Sequence, residues 1–278
     1  MDTRQASTIR PWIFLSLFST CILALGFVFG QRQGLLLGFS MALSFNLFVY
    51  FYGEFRLRRL LGGHAILGQD PWKLEPLVLR LAKSAHIPKP QVIVISTRVP
   101  TILSTGRTRS SATIYLSEPL IKTLSTDELE AVIAYEMSRI RRLDTLVSSM
   151  SSALSEALLF VPRMIDSVIR ILPGFKKWCL FQKLFAPIAS LPIKISVQKS
   201  TYLKNDAMAA KLTGQPHAMA QALWKIHSYS RALPENFPAT ANSVFIVSPR
   251  SKNGLEKSFS RHPSIEKRIE NLVGYYPI

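Results

Sequence analysis

Acidic residues are scarce in this chain, 17 Asp and Glu against 34 Lys and Arg, and cysteine is scarcer still, occurring twice. The first scarcity leaves a net charge of +17 and points to anionic partners, either nucleic acid or the negative inner face of a membrane. The second excludes a disulfide framework and a cysteine metal site, because Cys21 and Cys179 are far apart and each lies among apolar residues. A glycine-rich phosphate loop, a dinucleotide fingerprint, internal repeats and low-complexity tracts are all absent. Basic residues come without an aromatic reading platform, so no nucleic-acid partner is expected. Among the histidines, His64, His86, His217 and His227 lack the close spacing that puts two imidazoles on one helical face, and they read as surface or packing residues.

What is plentiful is apolar surface: 48% of residues are hydrophobic and mean hydropathy is +0.19, high for a chain in which 18% of residues are charged. The residues from Pro11 to Gly30 carry no charge, nor do those from Gly34 to Gly53. Each run matches the ~20 residues a helix needs to cross a ~30 Å hydrocarbon core. Only Gln31, Arg32 and Gln33 separate them, which predicts a tight hairpin of two spans. A cleaved signal peptide and a pair of buried core helices are the competing readings, and the immediate second run argues against cleavage. Arg4 and Arg10 precede the first run and Arg56, Arg58 and Arg59 follow the second, whereas the tip holds only Arg32. Both outer flanks should then face the cytoplasm, giving a multi-pass protein of the cell inner membrane with most of its chain cytoplasmic.

A second apolar region, residues 146–195, is interrupted by Glu156, Arg163, Asp166, Arg170 and Lys183. Charges near a bilayer centre cost at least a few kcal/mol each, so two full spans require those charges to face protein. The alternatives are helices in the interface, with Lys176, Lys177 and Lys183 near head groups, or a buried helical insertion; a membrane-associated hairpin is favoured.

The remainder alternates short elements. Trp72–Ala85 has helical spacing and stops before Pro88; Gln91–Thr97 and Ala112–Ser117 are β-branched runs that read as strands, with a polar turn at Gly106–Ser111. Ser125-x-x-Glu128 is a capping box opening a helix whose buried stripe is Leu129, Val132, Ile133 and Ile140. Met208–Leu223 reads as a further helix, and Pro263 begins a last one running to about Val273. Strands before a central helix, then more helices, predict an α+β domain. The organisation expected is a tail over 1–10, a transmembrane hairpin over 11–53, half of a domain over 54–145, the apolar insertion over 146–195, and the other half over 196–278.

Five fragments, in order, resemble the HtpX-like membrane zinc endopeptidases, relatives of the CAAX prenyl protease. After the hairpin, Val99–Arg107 stands where that family has Pro-Asn-Ala-Phe-Ala-x-Gly-Arg. Glu118–Ala134 leads into the helix as the family does, with Asp144 at the family's Asp beyond His-Glu-x-x-His. Ser200–Gly214 follows the insertion, and His262-Pro263 with Arg268-Ile269 closes the chain. The resemblance covers nearly the whole chain and implies a zincin (gluzincin-like) peptidase domain carrying the N-terminal hairpin and the apolar insertion. Departures fall on the expected metal site. The two His positions of the helix hold Tyr135 and Arg139, and only Glu136, the base position, is kept; four residues before Asp206, where the family places its third ligand, stands Tyr202. Thr101 and Ile102 replace the family's Asn and Ala. Asp144, Asp206 and Arg268 fall on supporting positions, and His262 corresponds to a substrate-side residue, or else caps the last helix.

A neutral phenol is a poor metal ligand and a guanidinium donates but never accepts, so no metal and no cofactor are expected, zinc entering only if other ligands exist. Charge balance suggests that Arg139 pairs with Glu136 and takes Asp206 as a second acceptor, with Tyr135 and Tyr202 closing the cavity by ring packing; the alternative leaves Arg139 in solvent. A Ser–Lys dyad from Ser138 or Ser200 with Lys199 or Lys204 carries no signature spacing. The first reading is a membrane-anchored pseudopeptidase that binds or regulates membrane proteins or an active paralogue, with membrane lipid around its spans. The alternatives are an active metalloendopeptidase of membrane-protein quality control, or a structural membrane protein.

Overall fold

The computed structural model describes residues 3–65, 70–172, 174, 178–233, 237–249 and 256–275. Lys176 and Lys177, expected near head groups, lie outside the described residues, as do the side chains of Arg4, Arg10 and His64. The fold is mostly helical with one small sheet. Helix α1 (Thr3–Leu61) breaks at Gly30 and Gln31, where Gln31 takes a positive φ of 45°. Beyond the break the chain runs back along itself. Gly26 meets Gly34, Phe18 meets Phe45 at 4.7 Å between ring centroids, and Trp12 meets Tyr50 at 6.2 Å. Asn46 donates to the Ser19 hydroxyl at 3.0 Å. A Cβ on Gly26 or Gly34 would collide with the carbonyl of the other, so glycine at both places lets the backbones touch. Most apolar side chains of the two arms face outward, Phe29 being 87% exposed.

Strands β1 (His64–Ala65), β2 (Gln91–Ile95), β3 (Ile102–Thr105) and β4 (Thr113–Ser117) form a sheet in the order β1-β2-β4-β3. β2 and β4 run parallel, Gln91 opposite Thr113, and the other two pairings are antiparallel. The strand β3 was not foreseen: its four residues fall within Val99–Arg107 and show no clean alternation, because all four are buried. Helix α2 (Leu74–Ala85) precedes β2, α3 (Glu118–Thr123) follows β4, and α4 (Thr126–Arg141) begins at Ser125. The capping box is formed: Ser125 accepts from the Glu128 amide while the Glu128 carboxylate accepts from the Ser125 amide at 2.8 Å. Nearly every residue of α4 from Glu128 to Ile140 is buried, because α2, β3, α8 (Lys199–Thr213) and α9 (Pro216–Ala232) all pack against it. The expected single helix Met208–Leu223 is in fact these two, since Gly214 adopts φ 72° and ends α8.

Between α4 and α8 lie α5 (Asp144–Ile169), α6 (Leu180–Ala189) and α7 (Leu191–Ser196). The first half of α5 is buried against the second arm of α1, where Gly53 touches the Ser149 carbonyl. Its charges face protein. Glu156 pairs with Arg56 at 2.9 Å and with Arg163, and takes the Thr240 hydroxyl at 2.6 Å. Asp166, fully buried, accepts from the amides of Phe181 and Gln182 at 3.1 and 2.8 Å, and so fixes the turn into α6. Lys183 is exposed, and the outer faces of α5 and α6 present Phe160, Val168, Leu184 and Ile188 to the surroundings. A 3₁₀ turn (Ala239–Val244) and α10 (Glu256–Phe259) lead to α11 (Ile265–Val273), whose cap is Ser264. His262 therefore does not cap the last helix, and that helix starts two residues later than Pro263.

Removing the α4 cap should register in stability. Ser125→Ala is expected to cost about 1 kcal/mol, lowering the midpoint of a detergent thermal melt by roughly 2–4 °C; an unchanged midpoint would show that packing alone sets the start of α4.

Candidate functional site

The side chains singled out in the sequence meet at one locus, where α4, α8, α11 and the segment after the 3₁₀ turn converge. Tyr135, Glu136 and Arg139 come from α4, Tyr202 and Asp206 from α8, and Arg268 from α11. All six are buried, Glu136 and Asp206 completely. His262 is half-buried and, with Arg268, Val247 and Ser260, lines a cavity of about 560 Å³.

Arg139 pairs with Glu136, Nη1 lying 2.9 Å from Oε2. This is a turn-to-turn contact that the i, i+3 spacing on α4 makes available. Glu136 also takes the hydroxyl of Ser104 on β3. Burial pushes the Glu136 carboxyl up, against the pull of Arg139 and the Ser104 bond. The expected second contact of Arg139 with Asp206 does not form. Asp206 is held by Arg268 instead, in a bidentate pair with Nη2 at 2.6 Å and Nε at 2.8 Å. The reason is reach: Arg268 enters from α11 opposite Asp206, and its planar fork matches both carboxylate oxygens. Burial alone would lower the Arg268 guanidinium, but the Asp206 charge holds it above its ordinary value. Its plane lies over both phenols, 5.5 Å from the Tyr135 ring and 5.8 Å from that of Tyr202. The two phenols thus flank a cation.

Asp144 accepts from Asn205 at 2.8 Å and Arg142 at 3.3 Å, and Ser138 donates to Asn205 at 2.8 Å, which ties α4, α5 and α8 together. The ring of His262 packs on Tyr202 at 4.5 Å and its Nε2 lies 2.9 Å from the Phe245 carbonyl. Burial, with Arg268 and Arg139 nearby, pushes its pKa from the ordinary 6.5 down to about 3, despite the bond to Phe245.

Three participants were not assigned from the sequence. Ser104 lay inside a quoted fragment but had no partner to suggest its role. Asn205 adjoins Asp206 and reaches different partners, Ser138 and Asp144. The run Val244-Phe245-Ile246-Val247 has the β-branched and aromatic character of a strand, a signal that was available.

The residues at the expected ligand positions are a poor match for zinc. Burial drives the Tyr135 phenol well above its ordinary value, so it keeps its proton. Two of the buried polar atoms without a partner among the described residues are Tyr135 Oη and Arg139 Nη2, and the second can only donate. The guanidinium nitrogen suits an acceptor and repels a divalent cation. No group of three His, Cys, Asp or Glu residues able to hold a metal occurs among the described residues.

Known proteins resemble this chain over most of its length. The pattern of Peptidase family M48 matches residues 69–275. The protein named Protease HtpX homolog from Pyrococcus abyssi is 31% identical over 284 residues, covering 95% of this chain and 94% of its own. One of the same name from Pelotomaculum thermopropionicum is 26% identical over 276 residues, covering 96% and 98%. The crystal structure of S. mikatae Ste24p superposes with a TM-score of 0.50 at 17% identity; the match covers 96% of this chain and 66% of that one, so it speaks to fold alone.

Two outcomes follow from the site. Arg268→Leu should destabilise by about 3–5 kcal/mol through the unpaired Asp206 carboxylate, and adding Asp206→Leu should recover most of that loss; equal losses in single and double variants would deny the pair its role. The depressed His262 value means that the unfolded chain takes up a proton below about 6.5 while the folded chain does not. This contribution to stability is complete above pH 6.5 and is lost as pH falls toward 3, and His262→Gln should flatten that slope by about one proton. An unaltered slope would place the titrating group elsewhere.

Proposed function

The chain belongs to peptidase family M48, and on that premise we propose that it is a membrane-anchored, non-catalytic HtpX-like protein, a pseudopeptidase that binds or regulates membrane proteins or an active paralogue. The observation that carries the reading is the buried Arg139–Glu136 ion pair. Hydrolysis in a zincin needs a metal-bound water and a carboxylate free to take its proton. Here the carboxylate at that place is engaged by a guanidinium at 2.9 Å and by the Ser104 hydroxyl. A fixed cation does not polarise water as an open metal site does, and zinc has no ligand set at Tyr135, Arg139 and Tyr202.

Membrane anchoring is supported by the two apolar arms of α1, long enough for two crossings of a ~30 Å core, with outward-facing Phe, Leu and Val side chains. The arginines at 56, 58 and 59 against one at 32 favour a cytoplasmic location for most of the chain. The proposed body is a zincin-type domain without its metal, and the exposed apolar faces of α5 and α6 would rest in the same bilayer. A second reading, an active membrane metalloendopeptidase with other metal ligands, is favoured by the name protease carried by its relatives and by the retention of Glu136.

Metal content separates the two. Protein purified in detergent without chelator is expected to contain no stoichiometric zinc and to leave casein intact, whereas the triple variant Tyr135→His/Arg139→His/Tyr202→Glu should acquire zinc. Stoichiometric zinc with chelator-sensitive cleavage by the natural sequence would replace the first reading with the second.

A further inference from the structure

The second arm of α1 carries a cavity of about 700 Å³ at the level where its uncharged run ends. Phe48, Phe51, Tyr52 and Phe55 line one part of it, and Glu54, Arg58, Arg107 and Ser111 line the other. The three phenylalanines are exposed. A second cavity, of about 430 Å³, shares Arg58 and Ser111 with the first and is polar, with Lys89, Gln91, Ser110 and Thr113 among its walls. Aromatic surface thus passes into hydroxyls and cations, with Arg58 and Ser111 at the join. The sequence sets the depth of this join. Gly53 is the last residue of the second uncharged run, so the hydrocarbon edge of a membrane-anchored chain falls there. At ~1.5 Å per residue, Phe48 lies roughly 7–8 Å inside that edge and Arg58 about as far outside it, in the head-group layer.

Glu54 organises the cations. Its Oε1 accepts from Arg58 Nη2 at 2.8 Å, and its Oε2 accepts from Arg107 Nε at 2.8 Å. Arg107 also lies over the rings of Phe51, at 4.8 Å, and Tyr50, at 5.5 Å, which fixes its plane. Among the described residues Arg107 donates through Nε alone, which leaves both Nη atoms for a ligand. Arg58 gives Nε and Nη2 to Glu54 and Thr113 and keeps Nη1. In the polar cavity Lys89 pairs with Glu75. Three cations therefore face two carboxylates across the two cavities, and one positive charge is left over.

We propose that the two cavities bind one anionic glycerophospholipid of the leaflet at the foot of α1. Its phosphate sits on Arg58, Arg107 and Ser111, its acyl chains on Phe48, Phe51 and Phe55, and its uncharged head group in the polar cavity. The inference rests on the membrane anchoring proposed above and is independent of the metal question. Arginine suits a phosphate because several N–H groups meet its oxygens at once. A free phosphate leaves the aromatic wall uncovered, and a zwitterionic lipid brings a cation that the surplus charge repels. Glu54 already joins the arm to Arg107, which follows β3, so the lipid tightens a link between membrane helix and domain.

The test uses the full chain. It is reconstituted with phosphatidylcholine and floated on a density gradient, then titrated in detergent with single lipids and weighed by native mass spectrometry. Phosphatidylglycerol should bind once, at least about tenfold more tightly than phosphatidylcholine, as charged hydrogen bonds allow. Arg107→Gln should remove that preference. Arg59→Gln, which takes an equal charge from an exposed residue lining neither cavity, should keep it. Where Arg107→Gln does not fold, Glu54→Gln/Arg58→Gln/Arg107→Gln removes the charges together and leaves no lone buried carboxylate; it should bind both lipids alike. Equal loss in Arg107→Gln and Arg59→Gln would reduce the preference to general surface charge and overturn the site. A preference that survives in Arg107→Gln overturns it too, as does displacement of phosphatidylglycerol by inorganic phosphate. A natural chain that floats with the vesicles but shows no preference refutes the lipid site and leaves the anchoring intact, whereas one that does not float removes both.

Discussion

A single buried ion pair sets the terms for everything around it. Glu136 and Arg139 sit a turn apart on a helix enclosed on nearly every side, and neither charge has water to fall back on. Enclosing one of them alone costs several kcal/mol, so each needs the other. Once the guanidinium is committed to that place, the neighbourhood has to suit a donor of protons. Ser104 turns its hydroxyl to the carboxylate, the Val244 carbonyl accepts from the same Arg139 Nη1 that faces Glu136, and the phenols remain neutral. The second pair, Arg268 with Asp206, repeats the arrangement one layer away and draws another carbonyl from the same segment. Two cations and two carboxylates therefore balance within a compartment that holds no net charge from these four groups.

This balance explains the architecture as well as the chemistry. Helix α4 supplies one pair, α8 and α11 share the other, and the segment 243–247 is stitched across both. The sheet contributes little surface but a decisive edge: β3 presents Ser104 to the carboxylate and Leu103 to the stitched segment, and adjacent residues of a strand point to opposite faces. The Ile246 carbonyl is the natural companion of Arg268 Nη1, the nitrogen left over from the Asp206 pair, since a backbone carbonyl is available on every residue and brings no charge of its own.

How much of this could be read in advance depends on how local the signal was. The cap at Ser125, the uncharged arms on either side of Gln31 and the strands at residues 91–95 and 113–117 rest on neighbours a few positions apart, and their patterns were plain. The Arg139–Glu136 pair was also legible, being three residues apart on one helix. What was missed depends on distance along the chain. Arg268 reaches Asp206 across 62 positions and Arg139 reaches Val244 across 105, and no spacing announces such meetings. The strand β3 escaped because its residues are buried on both faces, which erases the alternation that marks a half-buried strand. The boundary between α8 and α9 turned on the left-handed conformation of Gly214, whose preference the sequence permits but does not compel.

The foot of the second apolar arm has a neighbour that gives it leverage. Leu57 and Leu61, at the last turns of α1, belong to the same cluster as Phe245 and Tyr115. Packed interiors are stiff, so a sideways movement of that foot is felt by the aromatic ring beside it. Were the arm to lean, the strain would reach the sheet edge directly, so the tilt of that helix and the seat of Phe245 are mechanically coupled.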